Sequence, residues 1–296
     1  MVERNFMALL QAQQKDGFFA CAGLDPVLAK IPEDMRNRCG VTRFLCDIVD
    51  YVGGFVGCFK PNVGFFMGLE GLQEDAPLML RDVIRYINVS FPSKPVILDS
   101  KRGDIGKTNT GYVKELEFYG ADAMTISPYL GVEAMKPFLD NKDKGFFVLC
   151  RTSNPGSNEF QGLDVSGDVV PGGYMPLYKY VAYRVANEWN YNGNCGIVFG
   201  GTYPKELIEA RTTVPLLQML VPGFGAQGAK IEHVFPEGLA FDGGGIIANS
   251  SGGIAFAYKN EKFLERYPNM GISSKPWALA AQIAAREMDT QIRGLI

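Results

Sequence analysis

Short runs of consecutive apolar residues recur along the chain, each ending in polar or turn-forming residues. They fall at 18–24 (FFACAGL), 53–60 (GGFVGCFK), 95–99 (PVILD), 122–127 (DAMTIS), 145–150 (GFFVLC), 195–200 (CGIVFG), 215–221 (PLLQMLV) and 245–249 (GIIAN). Most are continuous rather than alternating, the pattern of parallel strands covered on both faces. Between them lie stretches with helical spacing: 41–51, 73–90 with Pro77 near its start, 109–119, 131–140, 175–190, 204–212 and the Ala-rich 275–293. Eight strands alternating with helices predict the α/β class, a (β/α)₈ TIM barrel forming a single domain over residues 1–296. A doubly wound open sheet is the main rival. No internal repeat, low-complexity tract or linker divides the chain, and the Gly/Pro-rich stretch 153–173 reads as a long loop.

Composition narrows the chemistry. There is one histidine, His233, so two-His metal sites and His-pair mechanisms are excluded. Acid–base work therefore falls to Lys, Asp or Glu. With 29 Lys+Arg against 32 Asp+Glu, the net charge of −3 offers no basic stripe for nucleic acid, so no nucleic-acid partner is expected. The six cysteines (Cys21, Cys39, Cys46, Cys58, Cys150 and Cys195) form no CxxC pair. Several sit in apolar runs and read as buried free thiols, consistent with a reducing, cytoplasmic location. The opening residues lack an apolar signal segment, and no run approaches the roughly 20 residues of a membrane span, so no membrane association is expected.

Polar residues cluster where the predicted strands end: Asp25, Lys60, Asp99, Lys101, Ser127, Arg151, Thr202, Gln227 and Ser250. In a barrel those ends share one face, which carries the active site. The densest group is Asp99-Ser-Lys101-Arg-Gly-Asp104, directly after an apolar run. Asp99 and Lys101 are two apart, so on a strand both point to the same face. A charge there is costly unless paired, and the two satisfy one another. Lys60 ends an uncharged run from Tyr51 to Phe59, which places it at the barrel mouth as well. Alternating Lys and Asp would keep each lysine protonated. Such a lysine is a general acid and a poor Schiff-base nucleophile, which needs the neutral amine.

Asp99-x-Lys101-x-x-Asp104-Ile resembles the signature of the orotidine 5′-monophosphate decarboxylase family. So do Phe59-Lys-Pro-Asn-Val-Gly-Phe-Phe66, Ser127-Pro-Tyr-Leu-Gly131, Arg151-Thr-Ser-Asn-Pro155, Gly201-Thr-Tyr-Pro204 and Val221-Pro-Gly-Phe-Gly-Ala-Gln-Gly228, in family order. The Arg-Thr-Ser-Asn-Pro loop and the chain length look like the longer bacterial branch, type 2. The resemblance implies a barrel, a homodimer and no cofactor or metal. It implies conversion of orotidine 5′-monophosphate to uridine 5′-monophosphate in pyrimidine biosynthesis. By resemblance Lys101 donates the proton to C6 of the pyrimidine, and Asp99 sits against the substrate carboxylate. Asp104 and Thr108 reach the partner subunit's site. Lys60 and Asp25 match positions that hold the ribose hydroxyls and the charge network, and Ser127 matches the position that reads the base. Pro222, Gln227, Gly252 and Gly253 fall at the expected substrate-binding loops.

The phosphate end departs from the family. Gly223-Phe-Gly225-Ala-Gln-Gly228 matches GxGxxG, yet a dinucleotide site would need an acid about 20 residues on, where the chain reads Ile246-Ile-Ala-Asn-Ser250. A phosphate cradle on the last two strand loops fits better. After the eighth strand the family usually has Asn-Ser-Ser-Arg-Gly, with the Arg binding phosphate; this chain reads Asn249-Ser-Ser-Gly252-Gly253. Its loss is expected to weaken binding unless backbone amides, Arg151, Lys259 or Lys262 compensate. Two other readings stand beside the decarboxylase: a related Mg²⁺-dependent sugar-phosphate decarboxylase or epimerase, and a catalytically impaired nucleotide-binding barrel. His233, just past the loop, is expected at the surface.

Overall fold

The computed structural model describes residues 4–225, 227–269 and 273–296. Among the described residues there are ten strands: β1 (Ala20–Leu24), β2 (Cys58–Pro61), β3 (Ile97–Arg102), β4 (Ala123–Ile126), β5 (Gly145–Arg151), β6 (Asp164–Ser166), β7 (Tyr174–Pro176), β8 (Cys195–Phe199), β9 (Gln218–Pro222) and β10 (Ile246–Ser250). Eight form one parallel sheet in the order β2-β1-β10-β9-β8-β5-β4-β3. Its two end strands meet through only two isolated bridges, Phe59 with Val96 and Asn62 with Asp99, which close it into a barrel. The eight predicted strands are thus the eight barrel strands.

Alternation along each strand builds the interior in layers. Cys21, Cys58, Ile97, Ala123, Phe147, Val198, Leu220 and Ile247 give one inward residue per strand and form a single apolar cluster. Helix α1 (Phe6–Lys15) seals it from below with Phe6 and Leu10; the Phe6 and Phe147 rings meet edge-on at 5.7 Å. Asn5 starts this helix by accepting a hydrogen bond from Ala8 N–H at 3.0 Å. Two residues further along each strand, the same face carries Gly23, Lys60, Asp99, Thr125, Leu149, Gly200, Pro222 and Asn249. The charged layer therefore rests on a dry floor. Gly23 is required there, because a Cβ would lie 1.9 Å from Ser251 Oγ.

The outward strand faces pack under α2 (Arg38–Val52), α3 (Val63–Met67), α4 (Ala76–Ser90), α5 (Gly106–Tyr119), α6 (Gly131–Leu139), α7 (Leu177–Arg184), α8 (Pro204–Thr213), α9 (Gly252–Ala255) and, near the C-terminus, α11 (Pro276–Arg293), while α10 (Glu261–Arg266) buries Phe263 against Ala280 of α11. Proline stands in the first turn of α4, α8 and α11, where its missing N–H costs nothing. Buried Ala278, Ala281 and Ala285 let α11 lie close to the core. No described helix is long and apolar enough to cross a membrane.

Several boundaries differ from expectation. The second strand starts at Cys58 rather than 53, because α2 runs on to Val52 and Gly53 caps it. The fourth helix begins at Ala76. The helix expected over 175–190 is α-helical to Arg184 and continues as a π turn over Val185–Trp189. The stretch 153–173 is not structureless: it holds a 3₁₀ turn, Pro155–Glu159, and β6, which pairs antiparallel with β7. Cys21, Cys58, Cys150 and Cys195 are buried thiols, and burial pushes Cys195 up to about 12. Cys39 is exposed and Cys46 half-buried.

Candidate active site

The strand ends surround an open cavity of about 650 Å³ lined by Asp25, Lys60, Asp99, Lys101, Pro222, Gln227 and Gly252, among others. Asp99 is its electrostatic centre. Its Oδ2 accepts from Lys60 Nζ at 2.6 Å and Asn62 Nδ2 at 3.0 Å. Its Oδ1 accepts from Lys101 Nζ at 2.5 Å and Thr125 Oγ1 at 3.0 Å. Burial pushes this carboxyl up, but the charges and hydrogen bonds of Lys60 and Lys101 prevail and hold it well below the usual carboxylate range. Burial pulls Lys60 down, and Asp99 and Asp25 more than reverse this, holding it above the usual lysine range. Asp25 is shifted upward by burial despite Lys60 nearby. Its Oδ1, like Asn249 Oδ1, is buried and has no hydrogen-bond partner among the described residues. Both residues line the cavity.

The two lysines differ in setting. The Lys60 side chain is 5% exposed and that of Lys101 47%. Lys101 does not reach Asp99 through simple strand alternation. Its φ is +49°, and it is the one non-glycine residue with positive φ among those described. The cause is local. Thr125 Oγ1 accepts from both Ser100 N–H at 3.1 Å and Lys101 N–H at 2.9 Å, and the pairing of β3 with β4 shifts register between Leu98 and Arg102. The resulting bend folds Lys101 back over Asp99. A left-handed L-residue costs roughly 1–2 kcal/mol, the kind of strain found at functional sites.

The other expected residues divide. Asp104 and Thr108 lie outside the cavity wall at the start of α5; Asp104 Oδ1 accepts from Ile105 N–H at 2.7 Å. Ser127 directly follows β4 and is not part of the cavity lining. β4 ends at Ile126, and the Ser127 N–H donates to Arg102 O at 2.7 Å, extending the ladder between β3 and β4 by one bond. The cavity wall has Thr152, Ser153, Asn154 and Gln161 instead. Gly253 packs toward Gly225 rather than lining the cavity. Arg151 cannot serve a phosphate. It is buried, bonded to Glu206 at 2.6 Å and Ser157 at 2.8 Å, with its guanidinium 3.8 Å from the Tyr203 ring centroid. Lys259 and Lys262 are exposed and do not line the cavity.

Gly223, Gly225 and Gly228 all have positive φ, so this loop needs its glycines to turn; Ala226 lies outside the described residues. Only a 3₁₀ turn, Ile231–His233, follows, not the helix a dinucleotide site requires. His233 is exposed. Asn62 and Thr125, given no role from the sequence, were findable: Thr125 lies two positions along β4 from Ala123, and Asn62 lies two past Lys60, just beyond the end of β2.

Comparison with known proteins points to one family. The model of the orotidine 5′-phosphate decarboxylase / HUMPS family matches residues 21–267. An orotidine 5′-phosphate decarboxylase of Azoarcus sp. (strain BH72) is 42% identical over 263 residues, 88% of this chain and 93% of the relative. One from Janthinobacterium sp. (strain Marseille) is 38% identical over 257 residues, 86% of this chain and 90% of the relative. Among solved structures, the Leishmania donovani OMP decarboxylase superposes with a TM-score of 0.78 at 31% identity, covering 98% of each chain.

Proposed function

The chain belongs to the orotidine 5′-phosphate decarboxylase / HUMPS family, and from that membership we propose how its residues carry out the reaction. The protein is a carboxy-lyase acting in the decarboxylation step of pyrimidine biosynthesis. Orotidine 5′-monophosphate occupies the cavity above the apolar floor. Its carboxylate lies against Asp99, whose two oxygens are already saturated by four donors. The C6–carboxylate bond breaks, CO₂ leaves, and the electron pair stays on C6. The Lys101 ammonium faces the developing carbanion and then donates its proton there, giving uridine 5′-monophosphate and a neutral amine. Its half-exposed side chain allows solvent to return the proton. Lys60, buried and permanently charged, keeps Asp99 ionised and fixed throughout. Preorganised charge of this kind is generally the largest catalytic contribution.

The observation that carries the assignment is the Lys101–Asp99 bond at the cavity, held by a strained backbone. Asp25 and Asn249 offer unpartnered acceptors suited to ribose hydroxyls. Thr152, Ser153, Asn154 and Gln161 offer the hydroxyls and amides that suit a pyrimidine edge. We also propose a homodimer in which Asp104 and Thr108 reach the partner's cavity. Their position outside their own cavity supports this, as do the exposed Ile105, Tyr129 and Leu130 beyond β3 and β4. The test is turnover in D₂O: loss of orotidine 5′-monophosphate absorbance with deuterium found at C6 of the product. Product without deuterium at C6, or no turnover by the wild-type protein, would overturn the mechanism.

A further inference from the structure

A nucleoside monophosphate brings a phosphate of roughly −1.5 to −2 charge at neutral pH, and the cavity must answer it. Three lysines line the cavity: Lys30, Lys60 and Lys101. Lys60 and Lys101 are both bonded to Asp99 and belong to the reacting end. Lys30 forms no ion pair among the described residues, so it is the one uncommitted cation at the cavity wall.

Its position is built rather than incidental. Lys30 ends the 3₁₀ turn Leu28–Lys30 that follows β1. Its N–H donates to Val27 O at 2.9 Å. Its own carbonyl accepts from Tyr258 Oη, which ties the turn to the segment leading out of α9. Its ammonium lies 5.4 Å from the centroid of Phe256, a favourable seat for a cation. Phe256 is in turn buried and stacked on Phe44 at 5.9 Å. Backbone and head group are thus both fastened to the segment that starts at Gly252. Gly252, Gln227 and Phe256 line the same cavity. Gly252 contributes no side chain, and a Cβ built there meets nothing within 4 Å, so the space beside it is open.

We propose that Lys30 binds the 5′-phosphate of the nucleotide beside Gln227, which the family resemblance already assigns to substrate binding, and that Lys30 sets the preference for nucleotide over nucleoside. This rests on the nucleotide decarboxylase reading above. Calorimetric titration of the wild-type protein and Lys30→Met with uridine 5′-monophosphate and with uridine tests it. Lys30→Met is expected to weaken the nucleotide about 10- to 100-fold, the loss of one charge-assisted contact, and to leave uridine within about 2-fold. Lys30→Arg should retain most of the nucleotide affinity. Adding Gly252→Arg to Lys30→Met should restore part of it, since that position opens onto the same space. Added salt should weaken the nucleotide in wild type much more than in Lys30→Met. Unchanged nucleotide affinity in Lys30→Met would overturn the role of Lys30 alone. So would equal weakening of nucleotide and uridine, with circular dichroism separating loss of fold from loss of contact. Failure of the wild-type protein to convert orotidine 5′-monophosphate would instead overturn the functional reading, and this proposal with it.

Discussion

Lys101 carries both the proposed chemistry and the backbone strain, so two substitutions at one position separate them. Lys101→Ala removes the ammonium and keeps a Cβ at φ +49°. Lys101→Gly removes both. Loss of the bond to Asp99 is common to the two variants. With the lysine side chain 47% exposed and Asp99 still held by Lys60, Asn62 and Thr125, that loss is expected to cost about 1 kcal/mol. The variants then diverge. Glycine relieves a left-handed cost of about 1–2 kcal/mol and gives back about 0.4–1 kcal/mol through greater freedom of the unfolded chain. Lys101→Gly should therefore be more stable than Lys101→Ala by about 0.5–1 kcal/mol, measured as the difference in urea unfolding free energies. Turnover should fall by at least about 10³-fold in both, since proton donor and local positive charge are lost together. If alanine matches or exceeds glycine in stability, the left-handed backbone stores no strain. If either variant turns over at an ordinary rate, Lys101 is not the proton donor.

Lys60→Met leaves Asp99 in a buried site with one fewer cation, and should destabilise the fold by about 3 kcal/mol as well as abolish turnover; urea midpoints close to wild type would show that the pair contributes little. Asp25 sits above its ordinary value of 3.8 because burial penalises its charge. The folded state then holds a proton that the unfolded state has released, so this group lowers stability as pH rises from about 3.8 through its folded value. Asp25→Asn should accordingly raise stability at pH 7 while weakening nucleotide binding, and a variant that is less stable at pH 7 would reverse the sign. Gly252→Arg in the wild-type background should lower KM for orotidine 5′-monophosphate, and an unchanged KM would mean that Lys30 and Gln227 already saturate the phosphate.

Regular features of the barrel were legible because they are periodic. Eight apolar runs became eight strands, and spacing by two residues stacked Lys60 on Cys58 and Asp99 on Ile97. What was hidden depends on contacts between distant segments. Alternation put Lys101 beside Asp99, the correct neighbour, but the route runs through a bend imposed by Thr125 from the next strand. Arg151 looked like a free cation in the chain; its partners Ser157 and Glu206 come from the following loop and from α8. That network in turn folds the loop that brings Thr152 and Gln161 to the cavity, with Gln161 Oε1 accepting from Thr152 N–H at 2.8 Å. Lys30 gave no local signal, because Tyr258, which holds it, is 228 residues away.

The barrel closes where its ladder is thinnest, between β2 and β3, and Lys60 and Asp99 stand on opposite sides of that seam. The reacting charges are therefore also a clasp. A fluctuation that parts these two strands opens the wall and dismantles the site in one event, so the population of the open form is a population of inactive enzyme. Amide exchange should reveal it. The Phe59 N–H, bonded across the seam to Pro95 O at 3.1 Å, should exchange sooner than amides between β8 and β9, and a bound nucleotide spanning the mouth should slow it. Residual flexibility of the fold and persistence of the catalytic geometry become one measurable equilibrium.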